Sequence, residues 1–230
     1  MPNLVPLKGS NKPLITADGS ISLYSMDYHE GYRAKSVGAY TESLHKFYNA
    51  SGIDDLVRKQ DVQLLDICLG GGSNLAVTID KLLDIETPYN IHIVTVERQA
   101  SLFDTIRDTP YLWPIRGYQT LRKLFVAGQY KNIRLDIAIG DAREILENLE
   151  WKFDVVYFDP FGKRKNPEMW TLDVFKSVYN LCNPSGKVAT YSSGKAIRKD
   201  FVEAGFSYTS TSKTAGGFQE GTVFCKDVTS

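Results

Sequence analysis

Val155 to Phe158 is a short apolar run that ends in Asp159-Pro160-Phe161-Gly162 and continues into Lys163-Arg164-Lys165-Asn166-Pro167-Glu168-Met169-Trp170. Such a run reads as a buried parallel strand that delivers one carboxylate to the carboxyl edge of a sheet, where open α/β folds place their ligands. An acid followed at once by three cations suits a site that handles an amine beside something anionic. Asp159 is therefore the candidate catalytic residue. Pro160 and Phe161 stand beside it as candidate substrate contacts.

A second constellation is Leu64-Leu65-Asp66-Ile67-Cys68-Leu69-Gly70-Gly71-Gly72-Ser73-Asn74, a strand that opens into a glycine loop and a helix starting near Asn74. Leu75 occupies the third position of a dinucleotide GxGxxG, so no phosphate cradle is indicated. The loop resembles the acidic-x-Gly-x-Gly-x-Gly loop of S-adenosylmethionine enzymes, with Cys68 in place of the first glycine. Asp66 would then meet the cofactor's amino-acid part directly or through water, with Gly70 and Gly72 making room for the methionyl chain and Asn74 closing the loop. Glu97 ends the next strand, where an acid can accept from both ribose hydroxyls. Asp141-Ala142 follows the third strand; the acid can accept from an adenine amino group or cap the helix 142 to 149. Tyr24, Tyr28, His29 and Tyr32 lie in a segment that can close over the cofactor or simply pack.

These groups must be held by regular elements. From residue 62 onward apolar strands at 62 to 68, 91 to 97, 132 to 139, 153 to 158 and 187 to 191 alternate with helical segments, which predicts a parallel sheet with right-handed crossovers. The stretch 98 to 131 has room for two helices, broken at Pro110 and Pro114. Phe206 to Ser212 and Gly221 to Lys226 read as a closing antiparallel pair joined at Gly216-Gly217. In front of the core, residues 14 to 24 predict a hairpin turning at Asp18-Gly19. Val37, Tyr40, Leu44, Phe47 and Tyr48 then recur at helical spacing. The expectation is an α/β, Rossmann-like class I methyltransferase: a mostly parallel seven-stranded sheet with a C-terminal antiparallel hairpin, in one domain spanning 1 to 230. Within it, 1 to 60 would form a small N-terminal extension and 61 to 230 the core.

The chain has 230 residues, 43% hydrophobic, with 27 basic and 27 acidic side chains, so net charge argues neither for nor against a nucleic-acid partner. Three cysteines without CxxC spacing read as buried free thiols, and three histidines show no metal spacing. No apolar run approaches the roughly 18 residues of a membrane span, and the start lacks a signal-peptide core. A cytoplasmic protein without metal is expected.

Phe161, Lys165-Asn166-Pro167, Met169-Trp170-Thr171, Ser193, Arg198, the Gly70-x-Gly72-x-Asn74 loop and the stretch from Asp18-Gly19-Ser20 to Glu42 resemble the methyltransferase domain of the MnmC-type enzyme that completes 5-methylaminomethyl-2-thiouridine in tRNA. The resemblance implies methyl transfer from S-adenosylmethionine to the aminomethyl nitrogen of a wobble uridine, with the tRNA anticodon stem-loop as partner. It implies a stand-alone form without the flavin oxidase domain, the primary amine coming from another enzyme or route. It also implies substrate contacts from Pro160, Phe161, Lys163, Lys165, Asn166, Trp170 and Arg198. Two departures are Gly162-Lys163-Arg164, more basic than that family's small-residue loop, and Gln219-Glu220, where a basic pair is expected.

Aligning two reactants supplies on the order of 7 to 11 kcal/mol, whereas a general base contributes roughly 10² to 10⁴-fold, about 3 to 5 kcal/mol. Positioning should dominate. Asp159→Ala is then expected to be severe and Asp159→Asn, which keeps a carbonyl acceptor, milder. Lys163 to Lys165, Arg33, Lys35, Arg198 and Lys199 are candidates for a phosphate-binding face. Other readings are a polyamine aminopropyltransferase, disfavoured by Lys163 to Lys165 beside the key acid, a methyltransferase of proteins or small amines, and a cofactor-binding RNA-interaction module.

Overall fold

The structure, a computed structural model, describes residues 11–109, 115–211 and 221–227. An eight-stranded sheet forms the centre, with the spatial order β10-β11-β9-β8-β4-β5-β7-β6. A separate three-stranded antiparallel sheet is made by β1 (Asn11–Ile15), β2 (Ile21–Ser25) and β3 (Glu30–Gly31). The central strands are β4 (Val62–Ile67), β5 (Ile91–Glu97), β6 (Gln129–Tyr130), β7 (Ile133–Ile139), β8 (Phe153–Phe158), β9 (Cys182–Thr190), β10 (Ser207–Ser210) and β11 (Thr222–Cys225).

β4 pairs in parallel with both β5 and β8, β5 with β7, and β8 with β9, as the alternating pattern predicts. Both faces of β4, β5 and β8 are covered, which is why they read as near-continuous apolar runs, whereas β7, nearer the sheet edge, alternates buried with exposed residues. One face packs on helices Ser73–Leu82 and Arg116–Ala127 and on the N-terminal helical run through Phe47 and Ile53. The other packs on helices Ala142–Asn148, Leu172–Leu181 and Lys195–Glu203. There Phe201 is stacked between Phe175 and Phe224, each at 3.9 Å between ring centres. Full burial of such a ring stabilises by about 1.5–3 kcal/mol.

Three differences from expectation have local causes. Lys131 adopts a positive φ of 53°, which turns the chain back so that Gln129–Tyr130 adds an antiparallel edge strand and makes the sheet eight-stranded. β9 starts at Cys182, five residues early, because Asn183 Nδ2 bonds the Asp154 carboxylate at 2.8 Å and Cys182 pairs with Phe153 across an irregularity in the ladder. The helix after residue 37 runs from Ala39 through a π turn at Leu44–Tyr48, which keeps Phe47 fully buried. Pro110, Pro114 and Gly216-Gly217 lie outside the described residues.

The chain leaves β4 for β5 and β7 on one side and reaches β8 and β9 on the other. The crevice at such a reversal, beyond the carboxyl ends of the strands, is where open α/β sheets bind ligands. Here it brings the glycine loop after β4 against Asp159 after β8, whose N–H donates to the Ile67 carbonyl at 3.2 Å. Among the described residues no helix is long and apolar enough to cross a membrane.

Candidate active site

A cavity of about 1150 Å³ opens at this crevice. Its floor is the loop Cys68 to Gly71 with Glu97, Asp141 and Ala142; its roof is the segment Ile21 to Val37; Asp159 to Phe161 and Asn166 to Met169 close one wall. Seven carboxylates line it (Asp27, Glu30, Glu42, Glu97, Asp141, Asp159, Glu168) against four cations (Arg33, Lys35, Lys46, Arg98).

Asp159 is the best-held acid. Arg33 Nη2 lies 2.6 Å from its Oδ2, and Asn74 Nδ2 donates to the same oxygen at 2.9 Å. Arg33 is itself fixed, its Nε donating to Ser73 Oγ at 2.9 Å and its guanidinium lying 5.3 Å from the Phe47 ring centre. Burial raises the Asp159 carboxyl to about 6, with the Arg33 charge opposing the rise. The Pro160 carbonyl accepts from Tyr191 Oη at 3.0 Å. Phe161 stacks on Tyr28 at 4.5 Å and tilts against Tyr32 at 4.8 Å.

Glu97 ends β5 inside the cavity. Its two oxygens accept from the backbone N–H groups of Gly70 and Gln99, at 3.0 and 2.8 Å, and burial raises its carboxyl. A carboxylate so oriented keeps lone pairs for ribose hydroxyls. Asp141 caps the helix Ala142–Asn148 by accepting from Arg143 N at 3.0 Å. It is also paired with the Arg143 guanidinium, which holds its carboxyl down at about 2. Gly70 has φ +55°, and a Cβ there would stand 2.7 Å from the Tyr32 ring, so the close approach of roof and floor requires glycine.

Several expected contacts are placed elsewhere. Asp66 does not line the cavity: it is buried under the loop, accepts from Thr95 Oγ1 at 2.8 Å, and is raised to about 7 by burial. Gly72 faces the core, where an added Cβ would meet Ile106 at 3.0 Å and Leu121 at 3.2 Å, so it makes no room for a ligand. Asn74 holds Asp159 rather than lining the cavity. Trp170 is 1% exposed, packs edge-on against Phe158, and donates from Nε1 to the Phe161 carbonyl at 2.7 Å; it braces the wall and offers no face to a base. Arg198 donates to Thr222 Oγ1 at 3.0 Å and lies over the Tyr208 ring, tying a helix to the C-terminal hairpin. Lys163, Arg164 and Lys165 are exposed and off the cavity lining, Lys163 pairing with Asp200 at 3.3 Å. Tyr24, Ala142, Pro160, Phe161 and Asn166 do line it. Asn166 is 9% exposed, and its buried Oδ1 has no hydrogen-bond partner among the described residues.

The largest correction concerns Arg33. It belongs to no outer phosphate-binding face: it is 6% exposed and paired with Asp159. Two residues that the motifs do not single out, Glu42 and Lys46, form a buried pair at 3.0 Å on the cavity wall; their i,i+4 spacing beside Phe47 is the one signal the sequence carries for them. The acid-rich lining removes the objection to a polyamine-type acceptor that rested on Lys163 to Lys165.

A cleft at the sheet's reversal point, a ribose-type acid at the end of β5 and a glycine loop with one forced close approach define a class I methyltransferase site. The cavity of about 1150 Å³ exceeds the roughly 300–1,000 Å³ of clefts that hold a drug-sized ligand, so it has room for S-adenosylmethionine together with an acceptor group. Residues 113–226 match the family described as S-adenosyl-L-methionine-dependent methyltransferase. The crystal structure of MNMC2 from Aquifex aeolicus superposes with a TM-score of 0.83 at 31% identity, covering 95% of this chain and 71% of that one. The chain belongs to the MnmC methyltransferase-domain family, and S-adenosylmethionine is its cofactor. The tRNA 5-methylaminomethyl-2-thiouridine biosynthesis bifunctional protein MnmC of Burkholderia thailandensis is 28% identical over 219 residues, 86% of this chain and 32% of that protein. An uncharacterized protein of Methanocaldococcus jannaschii is 28% identical over 207 residues, 87% of this chain and 55% of that protein. The chain thus spans about half or less of the length of these curated relatives.

Proposed function

We propose that this methyltransferase N-methylates the aminomethyl group of 5-aminomethyl-(2-thio)uridine at the tRNA wobble position, giving the 5-methylaminomethyl form. The observation that carries it is the arrangement around Asp159: a fixed carboxylate beside the stacked Tyr28 and Phe161, in a cavity where acids outnumber cations. An amine attracted as its ammonium finds carboxylates to receive it, and the aromatic pair offers a flat apolar wall to a base. The Burkholderia relative is named for the biosynthesis of that same 2-thiouridine nucleoside.

S-adenosylmethionine, when bound, supplies an electrophilic methyl on a sulfonium. Glu97 would accept from its ribose hydroxyls, with Asp141, Ala142 and Tyr24 around its adenosine end and Gly70 beneath it. At the acceptor end, Asp159 Oδ1 would accept a hydrogen bond from the substrate nitrogen, orient its lone pair, and take the proton the ammonium must lose. Pro160, Phe161 and Asn166 would shape the pocket. Lys163, Arg164 and Lys165, exposed beside this wall, would meet the phosphates of an anticodon stem-loop. The test is the mass of the wobble nucleoside in tRNA from cells lacking this protein. Accumulation of the unmethylated aminomethyl form is expected; unchanged nucleosides would overturn the reading.

A further inference from the structure

The segment that roofs the cavity also reaches into its chemistry. Arg33 follows β3, outside the α/β core, yet its guanidinium is buried against Asp159; Ser73, in the loop-to-helix turn, accepts from Nε, and the neighbouring Asn74 shares Asp159 Oδ2 with Nη2. Two donors on Oδ2 fix the carboxylate plane. They leave Oδ1, which has no hydrogen-bond partner among the described residues, as the oxygen available to the cavity that Asp159 lines.

We infer that Arg33 is a positioning residue for methyl transfer: with Asn74 it locks one oxygen of Asp159, so that the other is presented, ionised, to the substrate amine. The inference rests on the proposed reaction for its kinetic consequence but not for its electrostatic one. A buried carboxylate without a partner takes up a proton. With Arg33 in place, Asp159 stays charged at neutral pH and attracts a cationic amine; without it, the acid is neutral and its hydroxyl free to rotate. The other ionisable groups facing this pair are Glu42 and Cys68, which line the same cavity, Asp66 under the glycine loop, and Tyr118 and Tyr191. Lys46, the other cation on this wall, is paired with Glu42 at 3.0 Å and does not replace the Arg33 charge.

The test has two arms on the full chain. First, ¹³C-carboxyl NMR, with Asp159→Asn assigning the signal, follows Asp159 without any substrate; Arg33→Met should move its titration upward by about one pH unit or more, and Arg33→Lys should hold it near the wild-type value. An unmoved titration in Arg33→Met overturns the inference whatever the reaction is. Second, single-turnover methylation of an aminomethyluridine stem-loop is compared between variant and wild type from pH 6 to 9. Arg33→Met is expected to be about 100-fold slower at pH 6, where loss of ionisation (about 5-fold for a one-unit shift) adds to loss of orientation, with the ratio shrinking by about that 5-fold as pH rises to 9 and S-adenosylmethionine affinity unchanged. Ser73→Ala, which frees only Nε, is expected to lose about 3- to 10-fold in the same pH-dependent sense and serves if Arg33→Met does not fold. A ratio independent of pH in both variants would mark a purely structural role and defeat the inference. Wild type that fails to methylate the stem-loop would defeat the proposed function alone, the NMR arm still deciding the role of Arg33.

Discussion

Two groups of cations stand near Asp159, and by residue type alone they look alike. Arg33 is 6% exposed and 2.6 Å from the carboxylate; Lys163, Arg164 and Lys165 are exposed, with Lys163 in a solvent-accessible pair with Asp200. The same formal charge therefore does two kinds of work. Inside, where the effective dielectric is low and water does not compete, one guanidinium sets the ionisation and orientation of an acid. Outside, three cations are screened by salt within about 10 Å, and under the proposed function they would attract a polyanion.

The sharpest way to break this contrast is to remove the acid. Asp159→Ala leaves Arg33 buried without its counter-charge, which costs about 3–5 kcal/mol where a buried pair is broken. A clear fall in Tm, largely restored in Asp159→Ala/Arg33→Met, is expected, together with loss of methyl transfer by about 10³-fold or more. An additive double variant would deny the coupling. Asp159→Asn sharpens the same point. From the sequence it should be the milder change, because a carbonyl acceptor remains. In the structure that single carbonyl is claimed by Arg33 and Asn74, so the amide nitrogen turns to the cavity and presents hydrogens where an acceptor is needed. Activity as low as in Asp159→Ala is now expected, and substantial activity in Asp159→Asn would refute the orientation of the carboxylate.

Gly70→Ala comes next. Its Cβ would meet the Tyr32 ring at 2.7 Å on a backbone of positive φ. A weakening of S-adenosylmethionine binding by about tenfold is expected, read by equilibrium dialysis, while the same change at exposed positions of the Lys163 loop should leave binding as it is.

Buried acids also set the pH dependence of stability. Asp66 is raised to about 7, so the folded state holds its proton where the unfolded chain, near 4, has lost it. Its contribution is therefore fully present at low pH and is lost as pH climbs from about 4 to about 7. Asp66→Asn removes that loss: its Tm relative to wild type should rise by a few degrees between pH 5 and pH 8, and a constant difference would contradict the burial of a titrating acid. The smallest effect belongs to the exposed cations. Replacing Lys163, Arg164 and Lys165 by Ala should change stability by less than about 0.5 kcal/mol, yet lower the salt slope of tRNA binding by about 0.7–0.9 for each phosphate no longer neutralised. A flat salt response in the wild type would rule out an electrostatic RNA face there.

What is legible in the sequence follows the same division. Strand β8 and its terminal Asp159, Glu97 at the end of β5 and the Asp141 cap are readable because period, turn chemistry and strand ends are local properties. Asp66 and Gly72 share a motif with Gly70, but which of them meets the cavity depends on helix Arg116–Ala127 and strand β5 packing from elsewhere. Trp170 stands at an aromatic-rich wall in sequence and inside a cluster of Phe158, Phe175 and Tyr191 in space. Arg33 is the hardest to read. Nothing around it distinguishes a buried arginine from a solvated one until a segment outside the core is folded down onto Ser73 and Asp159, far along the chain.

The most direct measurement is single-turnover transfer of a labelled methyl group from S-adenosylmethionine to an anticodon stem-loop carrying 5-aminomethyluridine, with wild type and Asp159→Ala side by side. Label in the wobble nucleoside as its N-methyl form with wild type, and none with the variant, is the predicted result. Label on another atom, or equal transfer by both proteins, would contradict the role assigned to Asp159.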